Sequence, residues 1–271
     1  MQLGSTTIET TASRLELLTM LIWGKPACGK TVLAATAPGK KLWLQFDPAG
    51  TASLDRSDNI LVADFSAYKP AQLENFKQGG IIEKDLLKAV KEEGINSIVV
   101  DSLTSFGQLA LSYGIVSGKA NRGAFRSSIE APGQTGYGIR SAMLLDFCTM
   151  ILRVCADTKC HCVFIAHDKE SSGDDGKVEE ITMSLGGQGQ TILPAKISEI
   201  WHMEDTGKKR LLYVRAHGIK RPMRTRMFVV DDNRSNFTMQ YNQITGVGDG
   251  IAEWYSAWQA AGFNKVPLPP A

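Results

Sequence analysis

The 271-residue chain has no surplus of either charge and no apolar run long enough to cross a bilayer. Its 30 basic and 28 acidic side chains leave a formal net charge of +2. The overall balance therefore does not mark a nucleic-acid binder, and only local clustering can. The apolar segment from Leu15 to Trp23 is broken by Glu16. It is far shorter than the roughly 20 residues of a membrane helix, and no basic segment precedes it as in a signal peptide. Neither secretion nor a membrane anchor is expected. Cysteine is scarce and odd in number: Cys28, Cys148, Cys155, Cys160 and Cys162 form no spaced framework, which argues against a disulfide scaffold and for the reducing cytoplasm. Cys160-His161-Cys162 finds no second ligand pair at zinc spacing, and alternation along a strand would put the thiols on one face and the imidazole on the other. Internal repeats and interdomain linkers are also missing. The expected organisation is a lead-in over 1–17 and a single domain over 18–271, with an apolar content of 43% that suffices for one large core.

What is present is a phosphate-binding signature. Gly24-Lys25-Pro26-Ala27-Cys28-Gly29-Lys30-Thr31-Val32 carries the spacing G-x-x-x-x-G-K-[ST] in full. The apolar run Met20 to Trp23 leads in as a buried strand, and Val32 to Ala35 leads out as a helix. The glycines let successive N–H groups turn toward phosphate oxygens, and the helix start adds its positive dipole end. Lys30 can reach the β- and γ-phosphates, and the Thr31 hydroxyl can ligate Mg²⁺. ATP and Mg²⁺ are therefore the expected cofactors. The side chain of Cys28 is free to vary in such a loop and would at most make the activity thiol-sensitive.

Strands alternate with helices along the rest of the chain. Strands are expected at 41–46, 59–65, 97–101 and 162–166, and helices over 70–93 (interrupted at Gly79-Gly80), 103–115 and 138–156. Short strand-like runs at 198–204, 211–217 and 226–230 precede a turn-rich 231–250 and a last helix with Ile251, Trp254, Tyr255 and Trp258. This order predicts an α/β fold: a mainly parallel central sheet flanked by helices, with additional C-terminal strands. Residues 116–137 and 169–194 are expected to be long loops, the second acidic at first and then glycine-rich.

The run Ile98-Val99-Val100-Asp101 ends in a carboxylate about 70 residues after Lys30, placed to hold Mg²⁺ opposite Thr31. An ordinary helix-capping Asp is its bland alternative. Cleavage of a γ-phosphate needs a group that orients water. The residue after Asp101 is Ser102, so the candidate is Asp47 at the end of the neighbouring strand, where a turn-forming Asp before Pro48 is the alternative. His167, at a strand tip, is a candidate γ-phosphate sensor or else a hydrogen-bonded surface residue. From Lys208 to Arg226 there are eight basic residues and no acid. They offer phosphate contacts to nucleic acid, a charge delivered to a neighbouring subunit's ATP, or charged protection of edge strands. Lys119, Arg122 and Arg126, interleaved with Tyr113, Phe125 and Tyr137, make the basic and aromatic mixture that suits single strands, as well as an ordinary flexible connection.

Taken together, Gly24 to Thr31, the Ile-Val-Val-Asp-Ser of 98–102, the strand tip at His167 and the Lys220-Arg221 pair resemble the RecA-like P-loop ATPase core. More closely, the chain looks like phage-encoded minimal RecA/RadA-type proteins that act in recombination as single-strand annealing proteins. The resemblance covers most of 18–230 and implies a DNA-stimulated ATPase that works on single-stranded DNA in the host bacterial cytoplasm. It implies a homo-oligomer, filament or ring, with a single-strand binding protein as a further partner. It also implies a Glu in the place where this chain has Asp47, a polar sensor at His167, an inter-subunit finger at Lys220-Arg221, and DNA-binding loops at 116–137 and 169–193. In the second loop, contact would fall to Gln188 and Gln190. A helicase or packaging motor on the same core, and a nucleotide-gated assembly switch without DNA, are the alternative functions.

Overall fold

A computed structural model describes residues 2–3, 6–7, 16–48, 50–54, 57–116, 133–231, 234–239 and 250–269. Two short strands, β1 (Gln2–Leu3) and β2 (Thr6–Thr7), pair antiparallel. The body runs β3 (Thr19–Gly24), α1 (Lys30–Ala35), β4 (Lys41–Gln45), β5 (Ile60–Asp64), α2 (Ile81–Glu93), β6 (Ser97–Asp101), α3 (Leu103–Val116) and α4 (Gly133–Thr158). It continues through β7 (His161–Ser172), β8 (Val178–Met183), α5 (Gly189–Lys196), β9 (Glu199–Asp205), β10 (Arg210–Tyr213), β11 (Phe228–Val229), β12 (Asn236–Thr238), α6 (Ile251–Ala260) and β13 (Val266–Pro267). The helical segment expected over 70–93 splits at Gly79-Gly80 into a 3₁₀ stretch, Pro70–Phe76, and α2.

The central sheet has the order β12-β10-β9-β3-β7-β6-β4-β5, with β8 attached to β7. β9, β3, β7, β6, β4 and β5 are mutually parallel, and β10, β12 and β8 are added antiparallel. Both faces of the middle of the sheet are covered, so β3, β7 and β6 carry near-continuous apolar runs, whereas the edge strand β5 is partly exposed. Leu21, Trp23, Leu44, Val100, Phe164 and Ala166 point to one side, under α2, α3, α4 and α5. Met20, Ile22, Trp43, Val99, Val163 and Ile165 point to the other, under α1 and α6. The same alternation puts Cys160 and Cys162 in the first layer and the His161 ring against Tyr255 of α6. All five cysteines are free and buried.

Three features differ from the sequence pattern. The stretch 169–194 is not a loop. β7 continues past the sheet to Ser172, turns through Gly173–Lys177 and returns as β8, and Gly189–Lys196 is helical. The outer part of this ribbon is exposed, and only its base at Ile181–Met183 meets the core, so it shows no sustained apolar alternation. The run 226–230 does not extend the sheet. β11 pairs in parallel with β13, while the turn-rich region supplies the edge strand β12. Tyr113 is buried, its hydroxyl bonded to Glu74, and so presents no stacking face.

No described helix is long and apolar enough to cross a membrane.

Candidate functional site

In a parallel sheet the carboxyl ends of the strands point to one edge, and ligands gather there. β7 lies between β3 and β6, which sets His167 level with Gly24. Gln45 of β4 lies level with Asp101 on the far side of β6. The phosphate loop, Asp101, His167 and Asp47 thus meet at one rim.

The loop itself is tightly built. Gly24 (φ 153°) passes under Met203 of β9, where a Cβ would come 2.2 Å from the Met203 carbonyl oxygen, so no larger residue fits. Lys30 is buried, and its Nζ donates to the carbonyls of Gly24 (2.9 Å) and Lys25 (2.7 Å). Burial lowers its pKa, opposed by the neighbouring Cys28, Asp101 and Asp168. The buried Cys28 Sγ is 3.8 Å from the same Nζ. Lys25, Pro26 and Ala27 are exposed, and Lys25 pairs with Glu170 of β7 at 3.1 Å. Val32 is half-buried in the first turn of α1.

Thr31 Oγ1 donates to Asp101 Oδ2 at 3.0 Å, which closes the gap between the loop and β6. Asp101 is 4% exposed. Burial pushes its pKa up to about 6; Asp47 reinforces the rise, while the Thr31 bond and Lys30 oppose it. These two hard oxygen donors, side by side below a phosphate loop, suit Mg²⁺ with bound nucleotide. The His167 N–H donates to Thr104 Oγ1 at 2.9 Å, and its carbonyl accepts from the Ser184 N–H at 2.8 Å. Among the described residues its buried Nδ1 has no hydrogen-bond partner. Burial, and after it Lys30, lowers the imidazole pKa, so the ring is neutral at neutral pH and free to bond an incoming oxygen. Half-buried Asp47 accepts a hydrogen bond from Ser105 Oγ.

A cavity of about 410 Å³ adjoins the loop, lined among others by Lys25, Cys28, Asp168, His202, Glu204 and Lys220. Lys220 is held within its own chain, its Nζ paired with Glu204 and 4.7 Å above the Tyr213 ring. Arg221 is exposed, with its N–H bonded to the Ile181 carbonyl at 3.0 Å. Other members of the basic run are engaged too: Arg210 faces Asp205 at 3.7 Å, and Arg224 donates to the carbonyls of Pro194 and Ile197. A larger apolar cavity of about 550 Å³, lined by Leu73, Phe76, Phe106 and Met143 among others, holds none of the phosphate-binding groups. Chemistry rather than volume assigns the site.

Gln188 is exposed at the start of α5, whereas Gln190 Nε2 donates to the Met183 carbonyl at 2.6 Å. Lys119, Arg122 and Arg126 lie outside the described residues. Among the described residues there is no group of three or more His, Cys, Asp or Glu that could hold a metal ion. Sequence reasoning missed Thr104 and Ser105. The cue was the hydroxyl cluster Ser102-Leu103-Thr104-Ser105 at a helix start, but its partners are distant in sequence.

No curated protein matches the chain. A family model described as AAA domain, AAA_24, matches residues 16–225, a span that holds the phosphate loop, Asp47, Asp101, His167 and Lys220. The chain therefore belongs to this AAA-type family of P-loop ATPases.

Proposed function

We propose that this protein is a Mg²⁺-dependent ATPase that acts on single-stranded DNA, annealing or exchanging strands in phage homologous recombination. The observation that carries the ATPase part is the closed cluster of Lys30, Thr31, Asp101, Asp47 and His167 at one rim of the sheet. Lys30 exchanges its two carbonyl bonds for phosphate oxygens, and the backbone N–H groups of the loop, which Pro26 alone lacks, cradle the rest. Thr31 and Asp101 would hold Mg²⁺, which would supply positive charge to offset that of the phosphates. Asp47 orients water, and His167 reads the γ-phosphate. Lys220 or Arg221 completes a neighbour's site within a homo-oligomer; for Lys220 this requires the Glu204 pair to open on assembly.

Support for the DNA part comes from the connection between His167 and the segments beyond it. The His167 carbonyl is bonded to Ser184, which directly precedes Leu185 and the Gly186-to-Gln190 segment. A change at the sensor therefore passes in one hydrogen bond to the segment carrying Gln188. Binding can be tested by retention of a labelled single strand across a salt series. Retention that weakens linearly with log salt supports DNA as substrate. No retention at low salt overturns it and leaves the ATPase standing.

A further inference from the structure

We propose that Ser105 is a positioning residue for Asp47, and that the first turn of α3 sets the polar tips on both sides of Asp101. The inference rests on the reading of Asp47 as the group that orients water. β6 lies between β7 and β4, so the helix that leaves β6 after Asp101 starts midway between His167 and Asp47. Successive helical residues are about 100° apart, so neighbouring side chains can reach opposite ways. Thr104 Oγ1 accepts the His167 N–H, and Ser105 Oγ donates to Asp47 Oδ1.

The direction of the second bond is fixed by counting protons. Asp47 Oδ1 accepts from the Ser105 hydroxyl, and a serine hydroxyl has one proton to give. Ser105 gives it to Asp47, so the contact of 3.3 Å with Ser102 Oγ must run from Ser102 to Ser105. Ser102 Oγ in turn accepts the Ser105 N–H at 3.3 Å, as a helix N-cap does, and Ser102 is fully buried. The hydroxyl order therefore starts in the buried cap and ends on Oδ1, which leaves Oδ2 to accept a hydrogen bond from the water that Asp47 orients. Among the described residues the other hydrogen bond of Asp47 is through backbone: its carbonyl accepts the Gly50 N–H at 3.1 Å, so Ser105 is what fixes the carboxylate.

The test is steady-state ATP hydrolysis by the full chain with S105A, S105T, S105V, D47N and the S105A/D47N double variant, with melting curves to confirm folding. S105A is expected to lower kcat about tenfold, the scale of one hydrogen bond to a charged group, and to leave KM for ATP unchanged. S105T, which keeps the hydroxyl, should recover most of the rate, and S105V of like shape should not. The double variant should be no slower than D47N, because the Ser105 bond acts only through Asp47. S105V as fast as S105T, or multiplicative losses in the double variant, would overturn the inference. If D47N is inactive and S105A keeps wild-type kcat, the positioning role alone falls. If D47N turns over at the wild-type rate, the reading of Asp47 falls and the positioning role with it. S105T against S105V decides the matter even if S105A folds poorly.

Discussion

His161 shows how a single residue ties acid stability to the fold. The Leu18 N–H donates to its Nδ1 at 3.1 Å, so that nitrogen must carry no proton in the native state. Burial lowers the pKa from 6.5 to about 4. The unfolded chain then binds a proton near pH 6 that the folded chain refuses. The contribution is complete above pH 6.5 and is lost as pH falls toward 4, by about 3 kcal/mol in all. His202, buried beside Trp23 and Tyr213, is lowered to about 4 mainly by burial and works in the same direction. Asp101, raised to about 6, works the opposite way: the folded chain keeps its proton longer, so its penalty fades as pH falls from 6 toward 3.8. Both are common to wild type and His161→Gln, so comparing their urea midpoints from pH 7.5 to 4.5 isolates His161. The wild type should lose ground relative to the variant as pH falls, and parallel curves would contradict the assignment.

At the scale of elements, Glu199 joins the sheet to the C-terminal segments. It is fully buried at the start of β9 and accepts from Trp201 Nε1 (2.9 Å), Thr225 Oγ1 (2.6 Å) and the N–H groups of Arg226 (2.7 Å) and Met227 (3.1 Å). These bonds hold the strap that leads into β11 and its pairing with β13. Glu199→Ala would take the acceptor from four donors, the buried Trp201 Nε1 among them, at a cost of about 3–5 kcal/mol. A fall in Tm of the order of ten degrees is expected, and a change under two degrees would contradict the role given to the strap. Nothing in sequence spacing marks Glu199, because three of its four partners lie 26–28 residues downstream on a segment without periodicity. The phosphate loop, by contrast, is legible because all its groups come from eight consecutive positions, and Asp101 because a buried strand announces its own end. The β7–β8 ribbon was illegible for the opposite reason to Glu199: its outer part is solvated, and only Ile181 and Met183 at the base of β8 reach the core, too few to write a pattern into the sequence.

For the whole molecule, the question is whether subunits complete one another's sites. Lys220 sits beside its own phosphate loop, paired with Glu204. If it serves a neighbour on assembly, Lys30→Ala and Lys220→Ala chains, each inactive alone, should regain turnover when mixed, because a mixed contact can hold one intact loop and one intact Lys220. Activity of the mixture equal to the sum of the separate proteins would assign Lys220 to its own chain. The central claim, that ATP turnover at the loop serves single-stranded DNA, is tested most directly by the hydrolysis rate with and without a single strand, with Lys30→Ala as control. The account predicts a several-fold rise in kcat with DNA and no turnover in Lys30→Ala under either condition. An equal rate with and without DNA would contradict it.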